Sequence, residues 1–150
     1  MGIWRHRLAK LSRLSAAELG DLCVAQWVLL RAQLLVWVLP QGRLLGGGGG
    51  GEPRRCSERE LALASRLALA VSRAAEHGVF RPACLVRAIA LERWLRRRGI
   101  EAGRVRVGVR WQGGAFSAHA WVELNEQVLG DAEWHVRAFT PLGYVRSSRP

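Results

Sequence analysis

The sheet of this protein is written most clearly in Ala115-Phe116-Ser117-Ala118-His119-Ala120-Trp121-Val122-Glu123-Leu124. Phe116, Ala118, Ala120, Val122 and Leu124 fall on one face of an extended chain, and Ser117, His119, Trp121 and Glu123 on the other. A period of two with one apolar face is the mark of a half-buried strand. Just upstream, Val105, Val107 and Val109 alternate with Arg104, Arg106 and Arg110, with Gly108 on the arginine side. Gly113-Gly114 supplies the turn between these two strands. Downstream, residues 127–131 predict a third strand after a tight turn, and Trp134 to Phe139 suits a fourth. The tail after Pro141 is expected to be irregular.

Before Arg104 the period is 3.6. Ser15, with Glu18 three residues on, has the form of a capping box. A helix follows to about Leu39 and stops at Pro40. Leu19, Leu22, Cys23, Gln26, Trp27, Leu30, Leu34, Trp37 and Val38 keep helical spacing in a segment apolar nearly all round. Such a helix is buried or shared with a partner, and core packing is the expectation, with Cys23 as a small buried residue. Ser57 and Glu60 open a second helix ending at His77, with Gly78 expected as its left-handed cap. Arg59, Arg66 and Arg73 repeat along it as a solvated stripe. Pro82 to Arg98 reads as a third helix, closed by Gly99. Helices first and an antiparallel sheet afterwards is an α+β plan.

Gly46 to Gly51 is an unbroken glycine run followed by Glu52-Pro53, a flexible linker with no phosphate-loop ending. The chain therefore divides into residues 1–45, a basic arm and apolar helix; 46–53, a glycine-rich linker; and 54–150, the domain that carries the chemistry. Arg31, Gln26 and Gln33 interrupt the apolar stretch from Leu22 to Leu39, and Glu18 and Asp21 sit just upstream of it, so a membrane span is not expected. No small-x-small cleavage site follows it, which argues against a signal peptide.

The hydrophobic share of 49% excludes wholesale disorder. Cys23, Cys56 and Cys84 form no disulfide framework, which suits a reducing cytoplasm. A net charge of +11 would attract nucleic acid, acidic peptides or membranes. Yet Lys10 is the only lysine among 23 basic residues, and no nucleic-acid motif is present, so a nucleic-acid partner is not expected.

Three residues carry chemistry in this order. Cys84 falls in the first turn of its helix, where unpaired N–H groups and the macrodipole favour the thiolate and can stabilise an oxyanion. Arg87 adds positive charge one turn on. His119 stands on the polar face of its strand between two small alanines. Asp131 is a carboxylate that can orient the imidazole. Register is the check. A three-residue loop, Leu124-Asn125-Glu126, puts Asp131 opposite His119. A two-residue loop, Asn125-Glu126, puts it opposite Ala120 on the wrong side, unless Gly130 hosts a bulge. Glu133 is the substitute if the register moves by two. No ligand pair anchors a metal, His6 and His135 show no partner pattern, Cys56 reads as a bystander thiol, and no cofactor is expected.

Cys84-Leu85-Val86-Arg87-Ala88, Val107-Gly108-Val109, Phe116 to Glu123 and Gly130-Asp131 together resemble the transglutaminase-like family of lasso-peptide maturation proteases. The resemblance covers residues 57–137 and extends to the apolar helix. It implies a papain/transglutaminase-type fold and a cysteine peptidase over 54–150 that removes the leader from a ribosomally made precursor peptide. Cys84 would be nucleophile, His119 base and then acid, and Asp131 the orienter. The absence of room for a leader-recognition domain implies a separate leader-binding protein as partner, with the lasso cyclase acting next. Papain-type enzymes carry a Gln shortly before the cysteine; none lies between Ser57 and Cys84, so the second oxyanion donor is unassigned.

The same residues suit two other readings. A Cys-His-Asp acyltransferase or transglutaminase would join an amine instead of adding water. A non-catalytic basic adaptor would bind an acidic partner through the first helix and Arg59, Arg66 and Arg73.

Overall fold

The structure, a computed structural model, describes residues 15–38 and 55–145. The basic arm over 1–13, the stop at Pro40 and the linker over Gly46 to Gly51 lie outside the described residues. Among the described residues, three long helices come first: α1 (Ala16–Val38), α2 (Glu58–His77) and α3 (Cys84–Arg97). Then come β1 (Arg104–Gln112), β2 (Ala115–Leu124), β3 (Gln127–Leu129), the single turn α4 (Glu133–Val136) and β4 (Thr140–Val145). The sheet is antiparallel in the order β3-β2-β1-β4. This is the α+β plan.

The helices cover one face of the sheet. Leu67, Ile89 and Leu95 meet Val105, Ala120, Val122 and Leu124 in one core. Burying a side chain of this size contributes about 1.5–3 kcal/mol each, so these few residues dominate the choice of face. A smaller cluster of Trp121, Val136 and Phe139 fills the opposite face. The segment after β3 crosses that face through α4 and returns as β4 beside β1. The expected fourth strand over Trp134 to Phe139 is thus a helical turn, and the tail after Pro141 is a strand. Pro141 is tolerated because β4 is an edge.

Helix α1 packs against α2 and α3, but with the face that its large residues did not predict. Ala25, Val28, Leu29 and Ala32 are buried, while Trp27, Leu34, Trp37 and Val38 are exposed. Small residues let the helix axes approach, and tryptophans on that side would hold them apart. Cys23 is on the exposed side, contrary to expectation. The α2 arginine stripe is not simply solvated either. Arg66 pairs with the nearly buried Asp21 at 2.5 Å, and Arg73 reaches Glu18 at 3.5 Å, so two of the three arginines clamp α1 to α2.

The capping box at Ser57 and Glu60 is present, with both reciprocal bonds. Gly78 is extended rather than left-handed, at φ −77°. Its glycine is needed for space: a side chain there would strike the Gln26 amide and the Ala74 carbonyl. Asn125 closes the other end of the domain, accepting from the Cys56 N–H at 3.1 Å and donating to its carbonyl at 3.2 Å. Cys56 is therefore half-buried beside the start of α2.

Candidate active site

Helix α3 begins at Cys84, two residues later than the sequence suggested, with Ala83 as N-cap and Pro82 outside the helix. Cys84 is therefore the first helical residue. Ala83 makes no side-chain cap bond, in contrast to the complete cap on α2. The first-turn N–H groups of a helix have no intrahelical partner. On α2 a serine occupies one of them; on α3 no side-chain cap does.

The loop from β2 to β3 is the two-residue one. Asn125 and Glu126 have φ of 48° and 66°, and Leu124 pairs with Gln127. The three-residue register is overturned. Continued regularly, this pairing would bring Asp131 opposite Ala120, away from the imidazole. The strand instead stops at Leu129, and Gly130, at φ +75°, turns the chain. This glycine ends the strand where a regular bulge had been the alternative, and Asp131 is delivered to the His119 side by the loop that follows.

His119 Nε2 lies 2.5 Å from Asp131 Oδ2. An ionised carboxylate only accepts hydrogen bonds. Nε2 therefore carries a proton, and in the neutral ring Nδ1 keeps its lone pair. The other oxygen of Asp131, Oδ1, accepts from the Ala132 N–H at 2.8 Å and from His135 Nδ1 at 3.1 Å. Burial pushes the Asp131 carboxyl up, but the bonds from His119, His135 and Ala132 outweigh it and hold the group below its ordinary range.

The imidazole of His119 is enclosed by rings. Trp121 stacks at 6.1 Å between centroids, His135 lies at 4.7 Å and Phe139 at 5.2 Å. Gly108, paired with His119 across the sheet, leaves room for Trp121: a Cβ there would come within 2.8 Å of the indole ring. Trp121 Nε1 donates to Glu123 Oε1 at 2.8 Å, and Glu123 pairs with Arg106 at 3.0 Å. The base of the histidine cage is thereby fixed by polar bonds as well as packing.

Cys84, Arg87, His119 and Asp131 all line one small cleft between the start of α3 and the β2–β3 edge. The Gly130 carbonyl is held there by Ser72 Oγ at 3.2 Å and Arg87 Nη2 at 3.4 Å. So the expected Cys84, His119 and Asp131 share a site. Glu133 does not join them; it pairs with Arg137 at 2.9 Å on the surface. His135, which showed no pattern in the sequence, does join, and so do Ser72 and Arg87 through Gly130. His135 was recoverable only from its spacing of four to Asp131, a signal that has meaning once α4 is known to be helical.

His119, Asp131 and His135 offer ligand atoms all within 4.8 Å of one another. Their nitrogen and oxygen donors suit a transition ion such as zinc. The same atoms are already joined by hydrogen bonds, so an ion would compete with the pairing of His119 to Asp131. No curated protein and no solved structure matches this chain. A family model described as transglutaminase-like superfamily matches residues 26–143, from the middle of α1 into β4. With that match spanning most of the chain, and a cysteine-bearing helix set against a histidine-bearing sheet, the protein belongs to the transglutaminase-like superfamily.

Proposed function

We propose that this transglutaminase-like domain is a cysteine peptidase that removes the leader from a ribosomally made lasso-peptide precursor. The observation that carries the reading is the bond from His119 Nε2 to Asp131, which leaves Nδ1 as the proton acceptor in a cleft shared with Cys84. His119 Nδ1 takes the thiol proton as the Cys84 sulfur attacks the scissile carbonyl carbon. The displaced carbonyl electrons settle on oxygen, where uncapped N–H groups of α3 can stabilise them. Collapse breaks the C–N bond, and the imidazolium gives its proton to the leaving amine. Water then attacks the thioester, His119 accepts its proton, and the C–S bond breaks to release the acid and restore the thiol.

Asp131 keeps the imidazole in the required tautomer and supports the imidazolium. In this reading the precursor is presented by a separate leader-binding protein in the cytoplasm, and the lasso cyclase acts on the released core peptide. The adaptor reading needs a free arginine stripe, and Arg66 and Arg73 are engaged with Asp21 and Glu18 instead.

The experiment mixes the precursor, the leader-binding protein and this chain and follows product masses. Hydrolysis gives a leader fragment one water heavier than the acyl group; transfer to an amine gives the acyltransferase product. Cys84→Ala should release no leader. Release at an undiminished rate would rule out the peptidase role.

A further inference from the structure

The pairing of β2 with β3 ends at Val122 and Leu129. Gly130 then turns the chain away, while β2 runs back to Ala115. Among the described residues, no strand pairs with the outer edge of β2 from Ala115 to Trp121. The direction of its backbone groups follows from register. A two-residue hairpin loop is flanked by a pair that exchanges both hydrogen bonds, and such pairs alternate along the ladder. Leu124 and Val122 therefore face β3. The Gly113-Gly114 turn gives the complementary count, with Ala115, Ser117 and His119 facing β1. Ala120, Ala118 and Phe116 must then point their N–H and C=O groups to the open edge. Among the described residues, none of the three takes part in a turn, loop or cap bond.

That edge ends at the reactive groups, since Cys84, His119 and Ala120 line the same cleft. Unpaired edges are templates for another strand, and proteins ordinarily blunt them with proline, lysine or a bulge. Residues 115–121 hold none of the first two, and their pairing with β1 is regular. At the far end, Trp111 and Phe116 are exposed with rings 6.4 Å apart, an apolar seat for a side chain some residues from the reacting bond.

We propose that the substrate binds as an added strand on the outer edge of β2, in the place β3 vacates at Gly130. Its main chain bonds to Ala118 and Ala120, which brings one carbonyl to Cys84. The substrate class is an extended polypeptide segment read largely through its backbone, and a folded or cyclic product is rejected. The inference rests on Cys84 being the acyl-accepting nucleophile.

The probe is acetyl-tetra-alanyl chloromethyl ketone, which loses chloride as the Cys84 sulfur forms a C–S bond, with iodoacetamide as the peptide-free reference. Each amide nitrogen of the probe is methylated in turn. Loss of one hydrogen bond slows labelling up to about tenfold. That loss should appear at alternate positions and not at their neighbours. Ala118→Pro removes one edge N–H and should lower the ratio of peptidyl to iodoacetamide labelling. Equal effects at adjacent positions, or no effect at any, would overturn the added strand while leaving the nucleophile in place. Iodoacetamide labelling that shows no preference for Cys84 would overturn the underlying reading and this inference with it.

Discussion

Arg87 Nη2 donates to the Gly130 carbonyl from one turn behind Cys84, so the helix that carries the thiol also holds the loop that carries Asp131. Ser72 grips the same carbonyl from α2. Two helices thus set the position of one carboxylate that regular strand geometry would misplace. Arg87→Ala and Ser72→Ala should each lower kcat/KM by about fivefold, for about 1 kcal/mol of lost positioning. The double variant should lose more than either. Steady-state kinetics checks this, with unchanged circular dichroism separating misplacement from unfolding. Arg87→Lys should restore less than a full guanidinium, because a single ammonium lacks its planar fork.

The missing cap on α3 sets stability against function. Ala83→Asp would fill the N-cap of α3, and caps of this kind contribute about 1 kcal/mol. The variant should melt higher and react more slowly, because its carboxylate occupies N–H groups needed by the oxyanion and repels the thiolate. Thermal melts and kcat together decide this. A variant both more stable and equally active would show that those N–H groups take no part.

Asp131 sets an acid limit on stability. Its carboxyl ordinarily titrates at 3.8, and the folded protein holds it lower. A lowered carboxylate contributes stability that is present above the unfolded value and lost as pH falls through the folded value. The advantage of the native protein over Asp131→Asn should therefore be present above about pH 4 and shrink as pH falls below it. Urea unfolding at a series of pH values measures it.

The second helix and the first hairpin were readable because their signals are local. Ser57 and Glu60 cap α2, Gly113-Gly114 makes a hairpin, and the period-two pattern of β1 and β2 follows from burial on one face. Helix α1 was readable as a helix but not as an orientation. Periodicity cannot choose between two apolar faces, and the choice went to Ala25 and Ala32 because they permit close approach. The segment from Gly130 to Val145 was misread for a different reason. Its course depends on one left-handed glycine and on β4 pairing with β1, and both are fixed by the folded sheet rather than by neighbours in sequence. His135 was hidden with it.

His135 makes the site sensitive to added metal. An ion such as zinc would take His119 Nε2, Asp131 and His135 Nδ1 once their shared protons leave. Zinc should inhibit, a chelator should restore activity, and inhibition should weaken as pH falls. His135→Ala should need at least tenfold more zinc for the same inhibition. Inhibition unchanged by that substitution would place the ion elsewhere.

The most direct measurement is the alkylation rate of each thiol by iodoacetamide, read by peptide mass. Cys23 is exposed and Cys84 is half-buried, so accessibility alone has Cys23 reacting first. Activation by His119 predicts the reverse order, with Cys84 ahead by about tenfold or more at neutral pH and the lead abolished in His119→Ala. Cys84 reacting no faster than Cys23, or just as fast without His119, would contradict a thiol and imidazole working as one unit.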